Sequence, residues 1–91
     1  MKRPLVLQER ERQLLRSLSP GLKRKIRQAF DDLSRDPLCG KALIEELRGL
    51  RSYKLGAIRI IYKIEHASIF ILAIGPRKSI YQKIILELKK H

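Results

Sequence analysis

Lys54, Arg59, Arg77 and Tyr81 are of types, and stand at spacings, that one face of a small sheet can gather. Lys54 and Arg59 flank Gly56-Ala57, Arg77 follows Gly75-Pro76, and Tyr81 is four residues further on. Side chains two apart on a strand share a face, so Ser52 and Lys54 point one way on one strand, and Arg59 and Lys63 share a side on the next. If the two strands pair across a Gly56-Ala57 turn, Lys54 and Arg59 converge, with Arg77 emerging beside them. Such a cluster has the ingredients for cutting RNA without a metal. Attack of a ribose 2′-hydroxyl on the neighbouring phosphate builds negative charge on the phosphoryl oxygens, which fixed guanidinium and ammonium groups stabilise. A proton must also leave the 2′-hydroxyl and another must reach the departing 5′ oxygen. Tyr81 suits that exchange where nearby cations favour its phenolate, and Lys54 is the second candidate.

Plainer roles stay open for the same residues. A charge on a strand's outer face is ordinary, so Arg59 between isoleucines also suits an exposed sheet surface. In a helix Tyr81 falls within the stripe of Ile80, Ile84, Ile85 and Leu88, where an amphipathic aromatic packs well. Tyr53 and Tyr62 are read as structural, on the core side. His66 sits in a predicted turn and His91 is the last residue, so neither has an orienting partner that a general base would need. Cys39 reads as a lone small hydrophobe. The pairs Asp31-Asp32 and Glu45-Glu46 read as solvated helix faces, and no ligand spacing for a metal is present. The glycines are scattered singly, so there is no phosphate-binding loop. No metal or other cofactor is expected.

The elements that must position the cluster follow from patterning. Leu5-Val6-Leu7 has the composition of a short strand, although Pro4 weakens a sheet edge there. The run from Gln8 opens a helix carrying Leu14, Leu15 and Leu18 on one side. Ser19 is placed to cap a second helix and Pro20 suits its first turn. Leu22, Ile26, Ala29, Phe30 and Leu33 then recur on one helical face, and Asp36-Pro37 and Gly40 end the run. Lys41 to Leu50 is ambiguous between a helical turn and loop. Beyond Ser52, the stretches Tyr53-Leu55, Ile58-Ile64 and Ile69-Ile74 are rich in β-branched residues and form an antiparallel meander through short connections. The side of the second strand carrying Ile58, Ile60, Tyr62 and Ile64 is a core face. Gly75-Pro76 closes the last strand, and Ile80, Ile84, Ile85 and Leu88 predict a short C-terminal helix against the sheet or a partner. The fold class is α+β: a helical hairpin covers one sheet face and leaves the other for function.

Composition narrows the partners. The chain has 91 residues, enough for one domain over 1–91 with a modest core. With 21 Lys and Arg against 9 Asp and Glu, the net charge of +12 favours a polyanion, nucleic acid first, ahead of a merely solvated basic surface or an anionic membrane. One cysteine cannot make an internal disulfide, and the apolar run after Pro4 is too short for a signal core or a membrane span, so a cytoplasmic location is expected.

The run Leu47-Arg48-Gly49-Leu50-Arg51-Ser52-Tyr53-Lys54-Leu55-Gly56-Ala57-Ile58-Arg59-Ile60-Ile61-Tyr62 resembles the central strand pair of RelE/ParE toxins. Gly75-Pro76-Arg77-Lys78-Ser79-Ile80-Tyr81 resembles that family's closing segment, and Leu33 to Pro37 followed by Gly40-Lys41-Ala42-Leu43 is similar to its helix end and linker. The resemblance implies a RelE-like fold and, for ribosome-dependent members, cleavage of mRNA in the decoding site. It implies Lys54 and Arg59 as phosphate or transition-state contacts, Arg77 as the main charge stabiliser, and Tyr81 in proton transfer or base stacking. Lys63, Lys78 and Ser52 are expected to contact RNA around them. The implied partners are mRNA, the ribosome with its rRNA, and an antitoxin, for which an acidic, partly disordered segment would suit the positive surface. Ser52 stands where some active members carry a further basic residue, and Pro76 where a histidine or other polar residue often precedes the arginine.

Two other functions fit parts of this pattern. A ParE-like chain would poison DNA gyrase by binding, without cutting RNA; Arg77 with Tyr81 argues for the nuclease, because that pairing has a use in RNA cleavage. A nonenzymatic RNA-binding module or inactive toxin is the third, against which the aromatic content of 5% leaves few bases to be stacked.

Overall fold

A computed structural model describes residues 2–90, so His91 lies outside the described residues. The first strand, β1 (Leu5–Leu7), leads into α1 (Glu9–Ser17) and α2 (Pro20–Arg35). Glu9 and Glu11 favour the start of α1 through the helix dipole. Ser19 caps α2 by accepting the Leu22 N–H at 3.4 Å, with Pro20 at the first helical position, as the sequence predicts. The ambiguous stretch resolves into a two-residue strand, β2 (Lys41–Ala42), and a 3-10 turn (Glu45–Leu47). Strands β3 (Arg51–Leu55), β4 (Ile58–Glu65) and β5 (Ser68–Pro76) follow, and α3 (Arg77–Lys89) ends the chain.

The strands form one sheet in the order β1-β5-β4-β3-β2. The expected meander is present, with Gly56 at φ +63° in the first turn and His66 at φ +56° in the second. β1 adds at one edge, parallel to β5, and Pro4 sits just outside the strand, where its carbonyl accepts the Ile69 N–H at 2.9 Å. That edge is therefore paired over all of Leu5–Leu7 despite the proline.

Ile26, Ala29 and Leu33 of α2 meet Ile60, Tyr62, Ile69, Ile71 and Ile74 of the sheet, forming the larger core. Leu15 and Leu18 of the first helix and its exit add to it. Each fully buried aliphatic here is worth about 1.5–3 kcal/mol against exposure, which is why this face dominates the fold. The opposite face is not free, contrary to expectation. Leu47 and Leu50 on one side, and Ile80 and Ile84 of α3 on the other, form a second core over Ile61 and Ala73. The pairs Ile61–Ala73 and Tyr62–Ile71 leave Leu72 as a bulged extra residue in β5, which joins Ala73 on the α3 side. The expected C-terminal helix spans 13 residues and starts directly at Arg77. Gly75 permits this close start, since a Cβ there would stand 3.0 Å from Ile80 Cδ1. What stays open on this face is the strip over β3 between α3 and the β2 segment.

Candidate functional site

That strip is a cleft of about 770 Å³ whose walls include Lys41, Ser52, Lys54, Arg59, Arg77 and Tyr81. Its floor is two rungs of the sheet. Lys54 pairs directly with Arg59, which pairs with Gly75; two residues along, on the same face, Lys41 pairs with Ser52, which pairs with Ile61. Arg77 is held where β5 becomes α3 by its N–H bond to Ala57 O, 2.9 Å, so the β3-β4 turn and the helix start are tied together. Tyr81 is one helical turn further on and half-buried.

The charges are unbalanced. Arg59 is only 7% exposed, yet its Nη1 donates to two backbone carbonyls, Gly56 O at 2.8 Å and Ile58 O at 3.0 Å, and it forms no ion pair among the described residues. A buried cation without a carboxylate is costly and is relieved by an anion. Lys41, Lys54, Arg77 and Lys78 also lack ion pairs among the described residues. Arg77 and Lys78 occupy the first turn of α3, where no acidic residue stands and no side chain caps the helix. Cations at that positive helix end are unfavourable unless an anion sits there too.

The expected cluster of Lys54, Arg59, Arg77 and Tyr81 is thus brought together. The surrounding residues divide. Lys78 lines an adjoining groove with Lys54, Arg59 and Arg77 on the far side of the Gly56-Ala57 turn. Lys63 lies outside the cleft, its Nζ 2.9 Å from Glu65 Oε2 and 5.5 Å from the Phe70 ring centre. Ser52 lines the cleft but is 6% exposed, and its Oγ is 2.9 Å from Tyr81 Oη. It touches the tyrosine where direct contact with RNA was expected.

Two residues escaped sequence reasoning. Lys41 sits on a strand too short for periodicity to reveal. Arg51 holds the loop that delivers it, donating from Nη2 to Leu38 O at 3.0 Å and Gly40 O at 2.6 Å. Tyr62 supports the same loop from below: its buried hydroxyl donates to Pro37 O at 2.6 Å and accepts from Gly40 N at 3.1 Å. Burial pushes the Tyr62 phenol up from its ordinary value, so it stays a donor. Tyr53 is pushed up to about 12 by burial and by Asp32, which accepts its hydroxyl at 2.9 Å and ties β3 to α2. Cys39 is exposed at the rim; local desolvation and the carboxylates of Asp36 and Asp32 push its thiol up, away from the thiolate a nucleophile needs. No group of metal-binding side chains occurs among the described residues.

Known proteins resemble this chain in sequence and in fold. Residues 8–81 match the family described as ParE toxin of type II toxin-antitoxin system, parDE. Toxin RelG of Mycobacterium tuberculosis is 45% identical over 58 residues, covering 60% of this chain and 67% of the relative. The toxin-antitoxin complex RelBE2 of the same organism contains a chain that superposes with a TM-score of 0.74 at 33% identity, covering 85% of this chain and all of the other. At 17% identity, a mutant of E. coli toxin RelE in the free state has the same fold, with a TM-score of 0.73 over 99% of this chain and 97% of that one. With the family match spanning residues 8–81 and a relative of known structure 33% identical over its whole length, the chain belongs to the RelE/ParE superfamily of type II toxin-antitoxin toxins.

Proposed function

We propose that this toxin is a metal-independent endoribonuclease that cuts mRNA in the decoding site of the ribosome. The observation that carries the reading is Arg59, a buried guanidinium without a carboxylate partner among the described residues, at the centre of a cleft that also holds Lys54, Arg77 and Tyr81. In the reaction the 2′ oxygen bonds to phosphorus as its proton leaves, and the bond from phosphorus to the 5′ oxygen breaks as that oxygen gains a proton. The products are a 2′,3′-cyclic phosphate and a 5′-hydroxyl. Arg59 and Arg77 stabilise charge on the phosphoryl oxygens, and Lys54 and Tyr81 serve the two proton transfers. Lys41 and Lys78, on either side, contact flanking phosphates. The reading has a cytoplasmic toxin held in check by an antitoxin. Solved relatives include an archaeal RelE-RelB complex from Pyrococcus horikoshii, 25% identical to this chain. An acidic, partly disordered antitoxin would complement the net charge of +12.

The test is primer-extension mapping of a translated mRNA and the same free transcript, with purified wild type and Tyr81→Phe. Ribosome-dependent cuts that fade in the variant are expected. The match to the ParE family favours a second reading, inhibition of DNA gyrase. Intact mRNA together with blocked supercoiling would establish that function instead, and inactivity in both assays would leave a binding or inactive homologue.

A further inference from the structure

We propose that Ser52 is a positioning residue, donating its hydroxyl proton to the Tyr81 phenol oxygen and thereby turning the phenol's own proton toward the scissile phosphate. The inference rests on the nuclease reading for its consequence, but its geometry stands on separate observations. Ser52 Oγ and Tyr81 Oη are 2.9 Å apart, and this is the only side-chain hydrogen bond of Ser52 among the described residues. At 6% exposure, the serine has almost no water to bond. A buried hydroxyl seeks an acceptor, and here the phenol oxygen is the acceptor within reach.

The asymmetry of the two surroundings sets the direction of the bond. Tyr81 is half-buried on the cleft wall, so its proton has an outlet toward solvent or substrate, whereas that of Ser52 has none. Ser52 also sits on β3, an interior strand paired on one side with Lys41 and on the other with Ile61, so its backbone is held on both edges. A short side chain on a rigid strand is a precise anchor for the longer tyrosine on α3. The bond couples strand to helix across the floor of the cleft, with Arg59 and Lys54 two residues along on the same face.

The experiment compares Ser52→Ala and Ser52→Thr in the wild-type and Tyr81→Phe backgrounds, measuring ribosome-dependent cleavage and urea midpoints. Ser52→Ala is expected to lower kcat about tenfold, the scale of one hydrogen bond, with KM unchanged and activity recovered in Ser52→Thr. In the Tyr81→Phe background the same substitution should have no further effect, because the bond is already gone. In the urea midpoints, Ser52→Ala and Tyr81→Phe together should cost less stability than the sum of the two single substitutions, because both remove the same bond. An additive loss in the double variant, or a rise in KM alone, would overturn the proposal in favour of a structural or RNA-contacting serine. If wild type cuts no RNA, the nuclease reading fails and the steering role fails with it. The urea midpoints then decide the hydrogen bond separately, additive costs in the double variant refuting the bond itself.

Discussion

Arg59 and Arg77 differ in a way that shapes what each substitution should do. Arg77 is exposed at the start of α3, so Arg77→Ala removes charge without opening the core. Growth arrest on expression should be abolished while the urea midpoint stays near wild type, the stability change being within about 0.5 kcal/mol. Full toxicity in that variant would remove Arg77 from the site. Arg59 is buried and fixed on the carbonyls of Gly56 and Ile58, so Arg59→Lys should fail to restore what Arg59→Ala loses. An ammonium lacks the planar fork that reaches two carbonyls and a phosphate together. A fall of about 10²-fold in kcat is expected for both substitutions, measured by single-turnover cleavage. Lys54, Arg59, Arg77 and Tyr81 were legible as a group because strand alternation and turn spacing are local. The burial of Ser52 was not legible, since it depends on Tyr81 reaching it from α3, which packs over β4 and β5.

At the level of elements, the cleft depends on a loop that carries none of its expected residues. Residues 36–40 are held by Arg51 and Tyr62, and Gly40 lies so close that a Cβ there would meet Tyr62 Oη at 2.5 Å and the Ser52 carbonyl at 2.9 Å. The Ser52 carbonyl is backbone and cannot swing aside. Gly40→Ala should therefore cost about 1–3 kcal/mol by overpacking, read as a lowered urea midpoint. It should also displace Lys41 and weaken RNA binding beyond what Lys41→Ala does alone. An unchanged midpoint would show that the loop is not anchored in this way. The long elements were readable from periodicity. β2 and the 3-10 turn were not, because two or three residues give no period and their shape comes from pairing with β3.

For the whole molecule, a net charge of +12 makes every anionic encounter sensitive to salt. If the scissile phosphate and the two flanking phosphates at Lys41 and Lys78 are neutralised, affinity for single-stranded RNA should fall about 20-fold between about 50 and about 200 mM salt, checked by fluorescence titration. A flat response would exclude phosphate contacts as the basis of binding. Alkaline stability is a second global property. Tyr53 keeps its proton in the folded chain up to about 12, whereas an unfolded tyrosine releases it near 10. The folded state binds more protons over that interval, so this contribution is full below about pH 10 and is lost as the pH rises toward about 12. The Tyr62 phenol, also pushed up, acts in the same direction. Urea midpoints followed across that interval should fall more steeply for wild type than for Tyr53→Phe; equal slopes would remove Tyr53 as a source.

The sequence by itself determined the class of fold, the meander, the capped α2 and the identity of the basic cluster. Each of these follows from short-range rules: alternation on strands, the helical repeat, turn chemistry and the sign of the charge. Tertiary structure alone decided that β1 closes the far edge beside β5, that α3 buries Ile61 and Ala73, and that the open face shrinks to one cleft. It also decided that Lys41 enters the site, that Lys63 leaves it for Glu65 and Phe70, and that Ser52 meets Tyr81. The physical reason is range. Those outcomes depend on contacts between residues far apart in the chain, such as the 29 positions separating Ser52 from Tyr81, and no local pattern carries information about which distant side chains will share a surface.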